Sequence, residues 1–278
     1  LNTLKRPTAD GLKSVVGIGA EAVAFLPSAA RIPPPSADTR SPHVQSLPGY
    51  VKGWLEIQDA GSQFVTLCTG IGPGMQVLDY CAGGGGKTLA LAQQMQNKGQ
   101  IFAYDNNNRR LAPIHERLKR AGVRNAQVRS PSDPEALADL TGNMHAVLVD
   151  APCTGTGTWR RHPDLKWRLR EGQLQTRMGE QDEVLRQAAP FVRPNGVLFY
   201  VTCSLLRQEN EDRIDEFLAE YSEFARVSVA EIAASGGLLN AAGQQVLEAN
   251  STETGDLRLS PMTTQTDGFY MAALRKTP

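Results

Sequence analysis

Two cysteines and one aspartate stand where a parallel sheet would deliver reactive groups. Ala146-Val147-Leu148-Val149-Asp150 runs into Ala151-Pro152-Cys153-Thr154-Gly155, and Gly196 to Thr202 runs into Cys203-Ser204. Both apolar runs read as buried strands. In an open α/β sheet, ligands gather beyond the carboxyl ends of the strands. Asp150, Cys153 and Cys203 therefore share one edge if these two strands are neighbours. A thiolate is a nucleophile and a carboxyl group exchanges protons, so the set is equipped for covalent catalysis. Taken singly, each cysteine reads as a small buried apolar residue and Asp150 as a cap. Cys68 and Cys81 have no such setting, and their side chains read as packing. No C-x-x-C pair occurs among the four cysteines, so no metal site is expected. Disulfides are too sparse to form a scaffold, and a reducing, cytoplasmic setting is expected.

A second chemical feature is the stretch VLDYCAGGGGKTLALA, residues 77–92, which reads as strand, glycine turn and helix. Glycines let backbone approach a ligand closely, and a helix start offers free N–H groups. Gly86-Lys87-Thr88 matches the end of a Walker A loop, but that pattern needs glycine at 81, where Cys81 stands. A nucleoside cofactor fits better. Its ribose calls for an acidic residue about 20 positions on, at the end of the next strand, and Asp105 follows Gly83 by 22 residues.

Positioning these groups requires an alternation of strands and helices. Residues 76–80, 100–105, 125–129, 146–150 and 196–202 read as strands, and 87–97, 108–121, 173–190 and 208–220 as helices, which predicts a parallel sheet covered on both faces. Residues 268–274 read as a last strand, and 233–257, rich in small and polar residues, as a loop. Residues 8–25 have a helical pattern weakened by three glycines. Six prolines from Pro27 to Pro48 predict an extended or turning connection. We read 1–70 as a small ancillary domain and 71–278 as the catalytic one. The 278 residues are 41% hydrophobic and 21% charged with net charge +0, which excludes a disordered chain and a protein that coats polyanions. No apolar run reaches the ~18 residues of a membrane span. The opening Leu1-Asn2-Thr3-Leu4-Lys5 lacks an initiator Met and a signal segment, so a trimmed start is expected.

DAPCTGTG (Asp150 to Gly157), VTCSLLRQENE (Val201 to Glu211), CAGGGGK (Cys81 to Lys87) and IQDAGSQ (Ile57 to Gln63) resemble the Sun-type family of RNA cytosine-5 methyltransferases. So do RRHPDLKW (Arg160 to Trp167), the ending LRLSP with TDGF, and the opening NTLK. The likeness spans nearly the whole chain and points most to bacterial enzymes of small-subunit ribosomal RNA. It implies S-adenosylmethionine as cofactor and a Rossmann-like α/β fold, a seven-stranded, mostly parallel sheet whose last strand is antiparallel.

Cytosine C5 is a poor nucleophile, and a thiolate adding at C6 activates it. The resemblance implies Cys203 as that thiolate, Asp150 as the acid at ring N3 in a desolvated pocket that favours its proton, and Cys153 in release. A cation beside Cys203, Lys87 or Lys166, would favour its thiolate. The resemblance also implies a cofactor loop of Cys81, Ala82, Gly83, Gly84, Gly85, Gly86 and Lys87, with Asp105 at the ribose and Asp150 at the methionine end. Asp133 is assigned to the adenine, with Ser132 as the alternative. Gln58 and Asp59 either support the site or cap a helix. Gly84 replaces a usual proline, and Met262 to Gln265 replaces a stretch that is often basic.

Arg160, Arg161 and Lys166 lie in a run of five basic residues and one acid that includes Trp167, a pattern suited to phosphates and a stacked base. The same run also reads as a solvated helix entry with a core tryptophan. A monomer is expected, with a further RNA-binding segment before Leu1 in the full-length protein. Two rivals remain: a methyltransferase directed at nitrogen, and an RNA-binding or assembly factor without catalysis. Transfer RNA is the alternative substrate.

Overall fold

The computed structural model describes residues 1–6, 13, 18–33 and 42–278. Half of the helix expected over 8–25 lies outside them, as do Pro34 and Pro35. Within the described part, Glu21–Ala22 (β1) pairs antiparallel with Ala30–Arg31 (β2). Gly19, at φ 73°, stands just before β1 in a conformation that a helix interior does not allow.

The remaining strands are Gln76–Asp79 (β3), Gln100–Tyr104 (β4), Ala126–Arg129 (β5), Met144–Asp150 (β6), Val192–Thr202 (β7), Phe224–Val227 (β8), Leu257–Leu259 (β9) and Phe269–Lys276 (β10). They form one sheet in the order β5-β4-β3-β6-β7-β10-β8, with β9 also on β10. The strands from β5 to β7 run parallel. β10 is antiparallel to β7, β8 and β9. The sheet is thus mostly parallel with its last strand reversed, as expected, and β9 adds a short eighth strand.

Alternation along each buried strand sends side chains to two cores. On one face, Val77, Leu148, Phe199 and Val201 pack with Phe64 and Val65 of Ala60–Cys68 (α1) and with Leu91 and Met95 around Gly86–Gln94 (α2). On the other, Leu78, Val147, Val149, Leu198 and Tyr200 meet Val184 and Leu185 of Gln173–Ala188 (α4) and Ile214 and Phe217 of Glu211–Glu220 (α5). Ile114–Ala121 (α3) buries Ile114, Leu118 and Ala121 in a smaller cluster beside β4.

The expected loop over 233–257 is instead largely helical. Val229–Gly236 buries Val229, Ile232 and Ala233, and Ala241–Ala249 buries Leu247. Alanine is the best helix former, so a run of small residues needed only the caps of Ser228 and Asn240. β8 and β9 were also missed. They are three or four residues long, and edge pairing with β10 rather than a strong apolar pattern makes them strands.

Candidate active site

The sheet order reverses between β3 and β6, where the crossovers leave in opposite directions. That switch point is the natural ligand crevice of an open α/β sheet. Asp79 ends β3, Asp150 ends β6, and Thr202 ends β7 one residue before Cys203. β6 and β7 are neighbours, with Asp150 opposite Val201.

The expected thiols meet. Cys153 Sγ and Cys203 Sγ lie 3.3 Å apart, and both residues are partly buried and free of disulfides. The contact splits their acidities. Cys203 is lowered below the ordinary thiol value, first by the hydrogen bond from Cys153 and then by the Lys87 charge, against burial and Asp150. Cys153 is pushed well up by the same bond, by burial and by the negative charge of Glu209. Of the two, Cys203 is the more acidic thiol.

Lys87 Nζ donates to Asp150 Oδ2 at 2.6 Å and sits 5.4 Å from the Phe269 ring centroid. Lys87 is buried, whereas the Asp150 side chain is 36% exposed. The desolvated pocket expected for Asp150 is therefore absent; an ammonium partner stands in its place. Lys166 is not part of this group. It lies on the short turn Leu165–Arg168, with Nζ 4.8 Å from the Trp167 ring.

The glycine loop follows β3 as expected. Gly83 and Gly85 have φ of 50° and 80°, and Gly85 caps α2. A Cβ at Gly85 would fall 2.5 Å from Ile114, whereas one at Gly83 would meet only Asp105 Oδ2 at 3.9 Å. The loop is thus packed underneath and open at Gly83. Gly84 is gripped from behind, its carbonyl accepting from Arg117 Nη1. Cys81 and Ala82 lead into the turn, and the Ala82 N–H donates to Tyr104 O at 2.8 Å. Burial and the nearby Asp105 and Asp150 push the Cys81 thiol up, in keeping with a packing role.

Asp105 is buried beyond β4 and accepts from the Gly83 N–H at 3.0 Å and the Asn107 N–H at 2.8 Å. Asp79, unforeseen, is fully buried beneath the loop. Its Oδ2 accepts from Thr88 Oγ1 at 2.7 Å, and its Oδ1 has no partner. Burial raises its pKa to about 7 despite that bond. An open glycine cradle, a carboxylate at the next strand end and an orphaned buried oxygen together fit a nucleoside-type cofactor.

Asp133 lies apart from the loop, in a shallow groove with Tyr80, Tyr104 and Leu137, and accepts from the Glu135 N–H at 3.0 Å. Ser132 accepts from Asn108 Nδ2 at 2.7 Å, which ties it to the turn after Asp105.

Asp59 does two things. It caps α1 by accepting from the Gly61 N–H at 2.7 Å, and it accepts from the Asp267 N–H at 3.3 Å. Gln58 Nε2 donates to Ser62 Oγ at 2.9 Å. Arg161 pairs with the buried Asp267 at 2.6 Å, and Arg160 donates to Gln265 O at 2.8 Å and lies 3.9 Å from Asp59 and Asp267. Both arginines are half-exposed and border a cavity of about 560 Å³ shared with Arg31, Ile57 and Asp59. Trp167 is no core residue; it is 81% exposed. Among the described residues, no cluster suits a metal ion and no helix is long and apolar enough to cross a membrane.

Residues missed from sequence include Glu209 and Asn210. Glu209 sits in the turn Arg207–Glu209 and binds both cysteine turns; Asn210 Nδ2 donates to Ser204 O at 3.0 Å. Their signal was in view, six and seven residues after Cys203, but they read as the polar start of a helix.

Residues 71–275 match the family model described as 16S rRNA methyltransferase RsmB/F. A probable ribosomal RNA small subunit methyltransferase B from Synechocystis is 30% identical over 99% of this chain and 59% of its own length. Ribosomal RNA small subunit methyltransferase B from Yersinia enterocolitica is 34% identical over 91% of this chain and 52% of its own. The chain thus spans about half the length of the curated relatives it matches. The structure of NSun6 from Pyrococcus horikoshii with SFG aligns at TM-score 0.69 and 28% identity, over 85% of this chain and 57% of that one.

Proposed function

The chain belongs to the 16S rRNA methyltransferase RsmB/F family, and from that premise we propose that it methylates carbon 5 of a cytosine in RNA, with ribosomal RNA as the substrate. One observation carries the reading: two thiols 3.3 Å apart at the same sheet edge as the Lys87–Asp150 pair. A methyltransferase directed at nitrogen needs neither sulfur.

S-adenosylmethionine, when bound, supplies an electrophilic methyl carbon. The loop from Cys81 to Lys87, with Asp105 at the ribose and Asp133 or Ser132 toward the adenine, would hold it, and Asp150 borders its methionine end. NSun6 solved with SFG supports a ligand of this kind.

The Cys203 thiolate adds to C6 of the target base, and the electron pair moves through the ring. N3 takes a proton relayed through Asp150 from the Lys87 ammonium, which donates to Oδ2 at 2.6 Å. C5 then has the electron density to attack. After transfer, the C5 proton leaves to water beside the Cys153 thiol, the C6–S bond breaks with Cys203 returning as thiolate, and N3 gives its proton back to the Lys87–Asp150 pair.

Base chemistry requires the target to leave its stack. Lys166 and Trp167 offer a cation and an exposed ring to the strand, and Arg160 and Arg161 offer their remaining N–H groups to phosphate. Residues 1–70 are read as an ancillary RNA-associated unit and 71–278 as the catalytic one, acting as a monomer in the cytoplasm. The test is to incubate the protein with labelled cofactor and total RNA and to map the modified bases. We expect 5-methylcytosine, with Cys203→Ser reducing it on the order of 10³-fold or more. Label on nitrogen, or an active Cys203→Ser variant, refutes the reading.

A further inference from the structure

The two thiols lie 50 residues apart in sequence on separate turns, beyond the last paired residues of β6 and β7. A single backbone bond, Gly157 N–H to Cys203 O at 2.9 Å, reaches between the turns. Something must hold the turns together beyond the sheet. Glu209 is fully buried and is engaged from both sides. Its Oε1 accepts from the Thr154 N–H at 2.8 Å and from Gln181 Nε2 at 3.0 Å. Its Oε2 accepts from the Thr154 hydroxyl at 2.5 Å and from the Ser204 hydroxyl. Thr154 follows Cys153, and Ser204 follows Cys203. Gln181 also donates to Pro152 O at 2.8 Å, and Thr156 Oγ1 meets Ser204 Oγ at 3.0 Å.

We propose that Glu209 is a positioning residue, a carboxylate clamp that joins the Cys153 turn to the Cys203 turn and keeps the two sulfurs in contact. All four partners donate to it here, and a carboxylate, which only accepts, meets all four at once. Glutamine is nearly isosteric but uncharged. Its oxygen can still meet the two N–H donors, while its NH₂ makes the Thr154 and Ser204 hydroxyls turn from donors into acceptors, and the charge-assisted bonds are lost. The clamp also carries a charge. After the contact with Cys203 and burial, that charge is among the influences that push Cys153 up. Contact between the sulfurs then leaves Cys153 the weaker acid.

This inference rests on the two thiols having distinct roles, as in the proposed reaction, but its first test needs no RNA. Iodoacetamide alkylation at pH 7.5, read by peptide mass spectrometry, should favour Cys203 over Cys153 by about tenfold in the wild-type protein. In Glu209→Gln that ratio should fall about fivefold or more, because the two turns lose their clamp and Cys153 loses one of the charges that favour its proton. Methyl transfer should lose about tenfold or more in kcat while KM for RNA moves less than about threefold. A merely structural residue would leave the ratio alone in the folded variant. If Glu209→Gln does not fold, Thr154→Val, which removes one bond of the clamp, decides: a lowered ratio supports the clamp and an unchanged ratio overturns it. A wild-type ratio together with wild-type kcat in Glu209→Gln also overturns it. If the ratio falls while wild-type protein methylates no RNA, the clamp stands and the proposed reaction fails.

Discussion

Cys153 Sγ and Cys203 Sγ share a hydrogen bond of 3.3 Å across the carboxyl edge of β6 and β7. Through that contact each thiol sets the acidity of the other. The bond is the largest influence on both, lowering Cys203 and raising Cys153. A covalent mechanism needs that asymmetry, because a nucleophile must be ionised before the base arrives while its neighbour stays protonated.

Replacing Cys153 by alanine removes the donor. The pH at which Cys203 becomes reactive should then rise, since burial and Asp150 remain to oppose ionisation. Alkylation rate against pH gives the midpoint, and a midpoint equal to or below that of the wild type contradicts the coupling. The same variant should accumulate a protein–RNA adduct that survives denaturing electrophoresis, because release of the C5 proton is impaired. Recovery of only free RNA would count against the role given to Cys153.

Lys87 touches both halves of the site, through its bond to Asp150 and its charge on Cys203. Lys87→Met keeps the length of the chain and removes the cation. Methyl transfer should fall on the order of 10²-fold, and the reactive midpoint of Cys203 should move up. Arg117→Met, behind the glycine loop, should not move that midpoint. If Lys87→Met leaves the alkylation profile in place, its charge is not what acts on Cys203.

The sheet was readable because its strands are buried on both faces and therefore written as unbroken apolar runs, as at Ala146 to Val149 and Gly196 to Thr202. Cys203, Cys153, Asp150 and the glycine loop were readable because each directly follows such a run. What failed depends on neighbours distant in sequence. Glu209 looks like any acidic helix entry until Thr154 and Ser204 are brought to it. Arg161 looks like a free phosphate ligand until Asp267 is seen buried behind it. Trp167 was equally plausible inside or outside, since a single aromatic in a basic run carries no periodicity.

Exposure makes Trp167 a sharp test of RNA contact. At 81% exposed, it contributes little to the fold. Trp167→Ala should leave the melting temperature within about 2 °C. A stacked base is worth about 1–3 kcal/mol, so KM for RNA should rise about 5- to 150-fold with kcat unchanged. RNA titration should quench the fluorescence of the wild-type protein and quench the variant less. An unchanged KM removes Trp167 from the RNA path.

Asp79 ties stability to pH. Burial raises its carboxyl from the ordinary 3.8 to about 7 in the folded protein. Between those values the folded state holds a proton that the unfolded chain has released. Stability therefore falls as pH rises through this window, and the full penalty is present above about pH 7. The gap between the two values caps the penalty at about 4 kcal/mol. Asp79→Asn removes the ionisation while its amide oxygen can still accept from Thr88. Urea unfolding should find the variant more stable than the wild type by about 2–4 kcal/mol at pH 8, with the advantage shrinking toward pH 4. A difference of the same size at both pH values would show that folding does not raise the Asp79 pKa. The cost should appear in the cofactor: Asp79 Oδ1 is an unpartnered acceptor beneath the loop, and an amide NH₂ there should weaken S-adenosylmethionine binding by about tenfold or more, measured by calorimetry on the same protein.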